Sequence, residues 1–399
     1  IWRGPSLLLS VWSVNLMAVL LLAAVRSRWI EPLFGGLDGA IRLHRTLGPM
    51  AVLVMVTHTL LYVPMALERG ESVGDLLIPF WSANARNSLS LIFVGLLIGT
   101  ALAYTRRLRY ERWLSLHSLF GLLFIATSIH AVTHGVTIAA FEPLRFWMWL
   151  LILIGSMCWL YRVVLYRWVH PRYPYKVRSV QVVGKDTVEF YLRPQQERLL
   201  YAPGTFVFIN RPGPAGRHWE LHPFSISSSP TERDLRLSAR MVGDFTNSLA
   251  NLRPGESIEV IGPFGGFTPH RHARFRRLVC IGSGIGITPF LSMIRFEASN
   301  DDFRRIWLWY VARGIEDAPY DEELRKGVET ADSWVDYELW LTSERGRLTA
   351  SHVFEALEDF DDFAVMLCGS PQFIRGMSKQ FLDQGLPPDR LFAEDLFFH

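Results

Sequence analysis

Four histidines sit inside otherwise apolar stretches, His44 and His58 in one, His117 and His130 in another. An ionisable ring in hydrocarbon is costly unless it has a partner or a task. His44 and His58 are fourteen residues apart, a climb of about 21 Å along a helix at 1.5 Å per residue. His117 and His130 are separated by a similar climb. If the two helices run the same way, the imidazoles form two cross-helix pairs at two depths. Each pair offers both axial ligands of a b-type haem, and two stacked haems make a path for electrons across a bilayer. Helical phase complicates the second pair. Fourteen residues bring His58 within about 40° of His44, but thirteen leave His130 about 140° from His117. That helix therefore needs a kink, a local irregularity or two different approach angles. His134, one turn beyond His130, is the rival ligand; His130 is preferred, with His134 as a polar group at the outer mouth. For any single histidine the plain alternative is a hydrogen bond to a neighbouring helix.

The elements that must position these rings are apolar spans. Among the 399 residues, the first 168 hold nearly all the long apolar runs. Five spans are expected, Ser6–Val25, Leu43–Leu67, Ser88–Tyr104, Leu114–Val136 and Phe146–Trp168, each near the length that crosses a hydrocarbon core. The chain starts without Met, so a further N-terminal helix is expected to be missing, and Ser6–Val25 reads as a span rather than a signal peptide. Arg26, Arg28, Arg42 and Arg45 flank the first connection, and Arg106, Arg107, Arg109 and Arg112 crowd the third. Arg162, Arg167, Arg172 and Lys176 follow the fifth span. By the positive-inside rule these ends are cytoplasmic, which puts His44 and His117 near the cytoplasm and His58 and His130 nearer the outer face. The net charge of +3 comes mostly from these boundary arginines, so it does not point to nucleic acid. Cys158, Cys280 and Cys368 share no close spacing, against a disulfide framework, a zinc site or an iron–sulfur cluster.

The rest of the chain reads as a water-facing module. After a Pro-punctuated linker, Tyr166–Lys176, come β-forming runs at Val177–Val183, Thr187–Leu192, Gly204–Ile209, Leu235–Met241 and Ser257–Ile261. Their spacing suits a small antiparallel barrel. Within it, His222-Pro223-Phe224-Ser225 offers an aromatic surface and a hydroxyl at a strand end. Gly243-Asp244-Phe245-Thr246 offers backbone N–H groups and a hydroxyl at a helix start, where a diphosphate is favoured. Packing and turn chemistry explain such fragments equally well. From Leu278 the pattern becomes βα. A strand runs into Gly282-Ser283-Gly284-Ile285-Gly286-Ile287-Thr288-Pro289, a glycine turn that lets backbone approach a pyrophosphate. The next strand ends at Arg313, placed to meet the 2′-phosphate of NADPH, although Glu316 and Asp317 nearby leave NADH open. A later strand, Phe363–Leu367, opens into Cys368-Gly369-Ser370-Pro371, suited to the nicotinamide side.

Taken in order, these segments resemble the NADPH oxidase and ferric reductase superfamily, in its prokaryotic form. The marks are the paired histidines, His222–Ser225, Gly243–Thr246, Gly282–Pro289 and Cys368–Pro371. The resemblance implies a multidomain membrane protein: a haem-binding helical bundle at 1–168, an antiparallel β-barrel FAD domain at 169–274 and an α/β NAD(P)H domain at 275–399. It implies FAD with Phe224 and Ser225 at the isoalloxazine, His222 and Gly243 in the same site, and Thr246 near the diphosphate. Gly282, Gly284, Gly286, Thr288, Pro289 and Gly369 would line the nicotinamide nucleotide, with Cys368 near the hydride path. Family members often place an aromatic two residues after a terminal acidic residue. Here Leu396 holds that place, so Phe397 or Phe398 must cover the flavin, or its face is more open. The family also usually has six membrane helices. The implied activity carries electrons from cytoplasmic NADPH through FAD and two b-type haems, held by His44, His58, His117 and His130, to an outer acceptor. That acceptor is molecular oxygen, giving superoxide near His134 and Arg69, or a ferric or cupric chelate, or a membrane redox partner. A membrane-anchored flavin reductase without haem is the remaining alternative. A plasma-membrane location follows, with no nucleic-acid partner. No EF-hand or proline-rich segment signals an obligatory activator.

Overall fold

The computed structural model describes residues 3–27, 29–80, 87–104, 110–134, 138, 140–169, 171–211, 222–269, 275, 277–298, 305–329, 334–357 and 362–394. The chain forms two compact units, Ile1–His170 and Pro171–His399. The first is helical. Its long helices are α1 (Arg3–Ala23), α2 (Leu37–Glu68), α4 (Asn87–Tyr104), α6 (Phe120–His134) and α7 (Glu142–Leu160), with short α3 (Val73–Leu77) and α5 (Tyr110–Ser118) between them. Among the described residues, four helical segments are long and apolar enough to span a membrane: Gly4–Ala23, Gly39–Glu68, Trp113–Thr133 and Glu142–Leu165. The third expected span forms α4, whose described apolar stretch, Ser90–Leu102, is shorter than that.

Between His117 and His130 the helix is interrupted at Leu119, where α5 ends and α6 begins. A break in a membrane helix frees backbone groups that must find partners inside the protein. The Ser118 carbonyl accepts a hydrogen bond from the Trp159 indole N–H at 2.8 Å. Trp159 can reach it because residue 121 is glycine, since a Cβ there would come within 1.9 Å of the indole ring. Gly155 likewise admits the Phe124 ring. Small residues thus bring α6 and α7 together, as in other membrane helix pairs.

The second unit contains two sheets. The antiparallel one runs β4-β3-β6-β1-β2-β5, built from β1 (Arg172–Val183), β2 (Thr187–Pro194), β3 (Phe206–Asn210), β4 (His222–Ser225), β5 (Leu235–Arg240) and β6 (Ser257–Phe264). It curls around Tyr175, Phe190, Val207, Leu237 and Val260. β1 begins inside the segment expected to be linker. Pro174 is tolerated there because its own carbonyl faces Gln195, where β2 has ended, so its missing N–H takes nothing from the β6 ladder. The second sheet is parallel, ordered β11-β10-β7-β8-β9: β7 (Arg277–Ser283), β8 (Arg305–Ala312), β9 (Val335–Leu341), β10 (Phe363–Cys368) and β11 (Leu391–Glu394). Helices cover both faces, so β7 and β10 are near-continuous apolar runs.

A buried ionic network joins the two sheets. Arg236 of β5, 4% exposed, is 2.5 Å from Glu189 of β2, which is 1% exposed. The same guanidinium pairs with Glu323 at 2.8 Å, and Arg295 bridges Glu323 to Glu232. Glu323 lies on Asp321–Glu329 and Arg295 on Thr288–Glu297, both helices of the parallel layer. Burial pushes the Glu323 carboxyl up, but the hydrogen bonds and charges of Arg236 and Arg295 outweigh it and hold it below the usual carboxylate range.

Two mutations test this packing. Gly121→Val should cost about 1–3 kcal/mol by overpacking the Trp159 seat, read as a lower unfolding temperature in detergent; an unchanged temperature would contradict that seat. Arg236→Met should cost about 3–5 kcal/mol by stranding the Glu189 charge, read by denaturant unfolding. The double change with Glu189→Leu should recover most of the loss, and a single mutant as stable as wild type would contradict the network.

Candidate functional site

The helical site starts from how α1 meets α2. The His44 Nδ1 lies 3.0 Å from the Leu20 carbonyl, and the His58 Nδ1 lies 2.9 Å from the Ser6 carbonyl. Leu20 and Ser6 are separated by fourteen residues, as are His44 and His58. The antiparallel pair α1–α2 therefore repeats one contact at two depths. A carbonyl oxygen can only accept, so each Nδ1 carries its proton and each Nε2 keeps its lone pair for another ligand. Metal-bound histidines are held in the same way, by an acceptor on the ring nitrogen that does not bind metal.

The second helix supplies the partners. The rings of His44 and His117 face each other edge-on, with centroids 5.9 Å apart and planes at 72°. His117 also stacks on Trp113, one turn earlier, at 4.8 Å and 8°. Its Nδ1 is buried and has no hydrogen-bond partner among the described residues. His58 and His130 line one pocket, together with Met55, Thr59, Phe93 and Thr127. The Thr127 hydroxyl there is also buried, with no hydrogen-bond partner among the described residues. The side chain of His134 lies outside the described residues, although its backbone closes α6. Arg69, just past α2, donates to the Tyr62 hydroxyl at 2.9 Å.

These residues fit haem. Two metal–nitrogen bonds of about 2 Å, with a ring radius of about 1.2 Å at each end, set coaxial imidazole centroids about 6.4 Å apart. The observed 5.9 Å for His44 and His117 is close to that. Among the described residues no group of three or more His, Cys, Asp or Glu is disposed to hold a bare metal ion. The histidines come in twos.

In the second unit, the parallel sheet sets the second site. Register places Glu394, Cys368 and Gly282 side by side at the C-terminal ends of β11, β10 and β7. Strand order reverses between β7 and β10, and ligands of open α/β sheets bind at such a switch point. The two loops meet there closely, because a Cβ on Gly286 would come within 2.4 Å of the Cys368 carbonyl. Gly284 has φ +57 and open space where a Cβ would point, so the backbone there is free to approach a ligand. Thr288 and Pro289 follow as a buried helix start, and the Thr288 hydroxyl donates to the Ile285 carbonyl. Cys368 is 4% exposed, which leaves its thiol little room. Arg313 is exposed at the end of β8. Gly369 packs against Ser283 and Phe373.

In the barrel, the residues expected at the flavin also make contacts of their own. Phe224, 5% exposed, packs with Phe190 and Phe245 in the barrel core, with Ser225 buried beside it. His222 is the ring at the strand's outer end, stacked on Phe245 at 3.6 Å. The Thr246 hydroxyl closes its own turn, accepting from the N–H groups of Val242 and Gly243. Phe397 and Phe398 lie outside the described residues. Sequence reasoning missed Ser6, Leu20 and Trp113. The first two act through backbone carbonyls, which leave no mark in composition. Trp113 had a usable signal, its four-residue spacing from His117.

Comparison with known proteins agrees with this layout. The family described as "Ferric reductase like transmembrane component" matches residues 9–128, "FAD-binding domain" matches 172–259 and "Oxidoreductase NAD-binding domain" matches 280–379. A superoxide-generating NADPH oxidase heavy chain of Dictyostelium discoideum is 28% identical over 223 residues, 51% of this chain and 40% of that protein. Ferric reduction oxidase 8 of Arabidopsis thaliana is 29% identical over 244 residues, 57% of this chain and 31% of that protein. The matched region is thus less than half the length of either relative. In fold, the chain is similar to the crystal structure of flavohemoglobin from Malassezia yamatoensis, with TM-score 0.53 and 20% identity over 84% of this chain and 92% of that one. With a ferric-reductase-like membrane component, an FAD-binding domain and an NAD-binding domain in that order, the chain belongs to the NADPH oxidase and ferric reductase superfamily of oxidoreductases.

Proposed function

We propose that this chain moves electrons from NADPH, with NADH as an alternative donor, through FAD and two bis-histidine b-type haems to molecular oxygen across the plasma membrane, releasing superoxide. The observation that carries the reading is the doubled contact of α1 with α2, which fixes the proton on Nδ1 of His44 and His58; His44 lies against His117, and His58 shares a pocket with His130. When bound, FAD converts two-electron hydride chemistry into single-electron transfer and haem relays single electrons. His44 with His117, and His58 with His130, would hold the two haems. An acceptor would be met at the outer mouth of the bundle, away from those four side chains. His134 and Arg69 are the polar side chains proposed for that outer mouth.

In the soluble unit, the Gly282–Pro289 turn would receive the nucleotide and Arg313 the 2′-phosphate. Cys368 and Gly369 would bound the nicotinamide. His222, Phe224, Ser225, Gly243 and Thr246 would hold the flavin, with Phe397 over its face. The division 1–168, 169–274 and 275–399 assigns one of these tasks to each segment, with the last two in the cytoplasm. The ferric-chelate reading shares every residue named here, and the similarity to Ferric reduction oxidase 8 keeps it as the second reading.

The test is NADPH-driven cytochrome c reduction by the detergent-solubilised chain with FAD added. A rate abolished by superoxide dismutase is expected; a fast but insensitive rate would overturn superoxide and favour the second reading. In His58→Leu and His130→Leu, one haem should be lost while NADPH still bleaches the flavin. Unchanged haem content in both variants would refute the ligand assignment.

A further inference from the structure

The two anchored imidazoles are not held alike. The His44 Nδ1 meets the Leu20 carbonyl, which also takes the Ala24 N–H at 3.1 Å. The His58 Nδ1 meets the Ser6 carbonyl at 2.9 Å and, in addition, the Ser6 hydroxyl at 3.3 Å. Because that nitrogen already donates to a carbonyl, the hydroxyl oxygen joins as a second acceptor in a three-centre bond. Ser6 is buried, so water does not compete for either atom. At the equivalent point of the α1–α2 register stands Leu20, whose side chain has nothing to offer. The difference between the two depths is one hydroxyl group.

An imidazole whose N–H is drawn toward an acceptor gives more electron density through its other nitrogen. That favours the oxidised state of a bound metal and lowers its reduction potential. We propose that Ser6 is a positioning residue for His58, and that its hydroxyl sets the reduction potential of the haem on the His58–His130 pair below the value the backbone carbonyl alone would give. The proposal rests on the two-haem reading above. It adds that the chain sets its two haems apart by a side chain on a helix that supplies no ligand.

The test is a spectroscopic redox titration of the purified, haem-loaded full chain. Ser6→Ala should move one of two transitions to higher potential and leave the other in place, and Ser6→Thr, which keeps a hydroxyl, should restore it. Leu20→Ser, which adds a hydroxyl beside His44, should move the other transition down. If Ser6→Ala holds two haems with both transitions at wild-type potentials, the proposal is wrong. It is also wrong if Thr and Ala shift the potential equally, or if both variants lose a haem, since packing would then be the cause. Loss of a haem in Ala but not in Thr supports the positioning role. A wild-type chain that binds no haem overturns the two-haem reading itself, a result that none of the variant outcomes resembles.

Discussion

Two backbone carbonyls on one helix face two imidazole N–H groups on its antiparallel neighbour, at the same spacing on both. Much in the membrane unit depends on that register. A slip of α1 along α2 would strand two ring N–H groups where no water can replace the lost acceptor. Held in register, α1 fixes which nitrogen of each ring is protonated and leaves the other unprotonated. In a low-dielectric bundle this is worth more than the same bond in water.

The second histidine helix has a harder task, because thirteen residues do not return a helix to the same face. The chain meets it with a break at Leu119 rather than a smooth bend. Trp159 covers the freed Ser118 carbonyl, and Gly121 leaves space for the indole. Sequence, local structure and packing meet here: a glycine permits a tryptophan, and the tryptophan secures a broken turn. In the soluble unit, the Arg236 network does comparable work between sheets. It sets one layer against the other through charges that tolerate no mispairing.

Much of this was legible in the residues. Apolar spans with histidines at matched spacing, alternating β-formers, and glycine turns after strands are periodic signals, and the fold follows them. The phase mismatch between His117 and His130 pointed to a kink, an irregularity or two approach angles, and the helix is interrupted at Leu119. Other features were illegible for physical reasons. The acceptors on α1 are main-chain atoms, so any residue type would supply them. β1 runs through a proline-marked segment because the partner strand ends there, which only pairing reveals. Phe224 turns into the barrel core, and Thr246 bonds its own turn. Those local contacts come from packing and turn geometry, which a motif does not spell out.

The central claim is that four histidines hold two haems. The most direct measurement is the haem-to-protein ratio, with the dithionite-reduced spectrum, of the purified full chain. Two b-type haems per chain are expected, with the spectrum of a bis-histidine centre that carbon monoxide does not perturb. A chain with flavin absorbance and no haem bands would contradict it, leaving a membrane-anchored flavin reductase whose histidines only join helices.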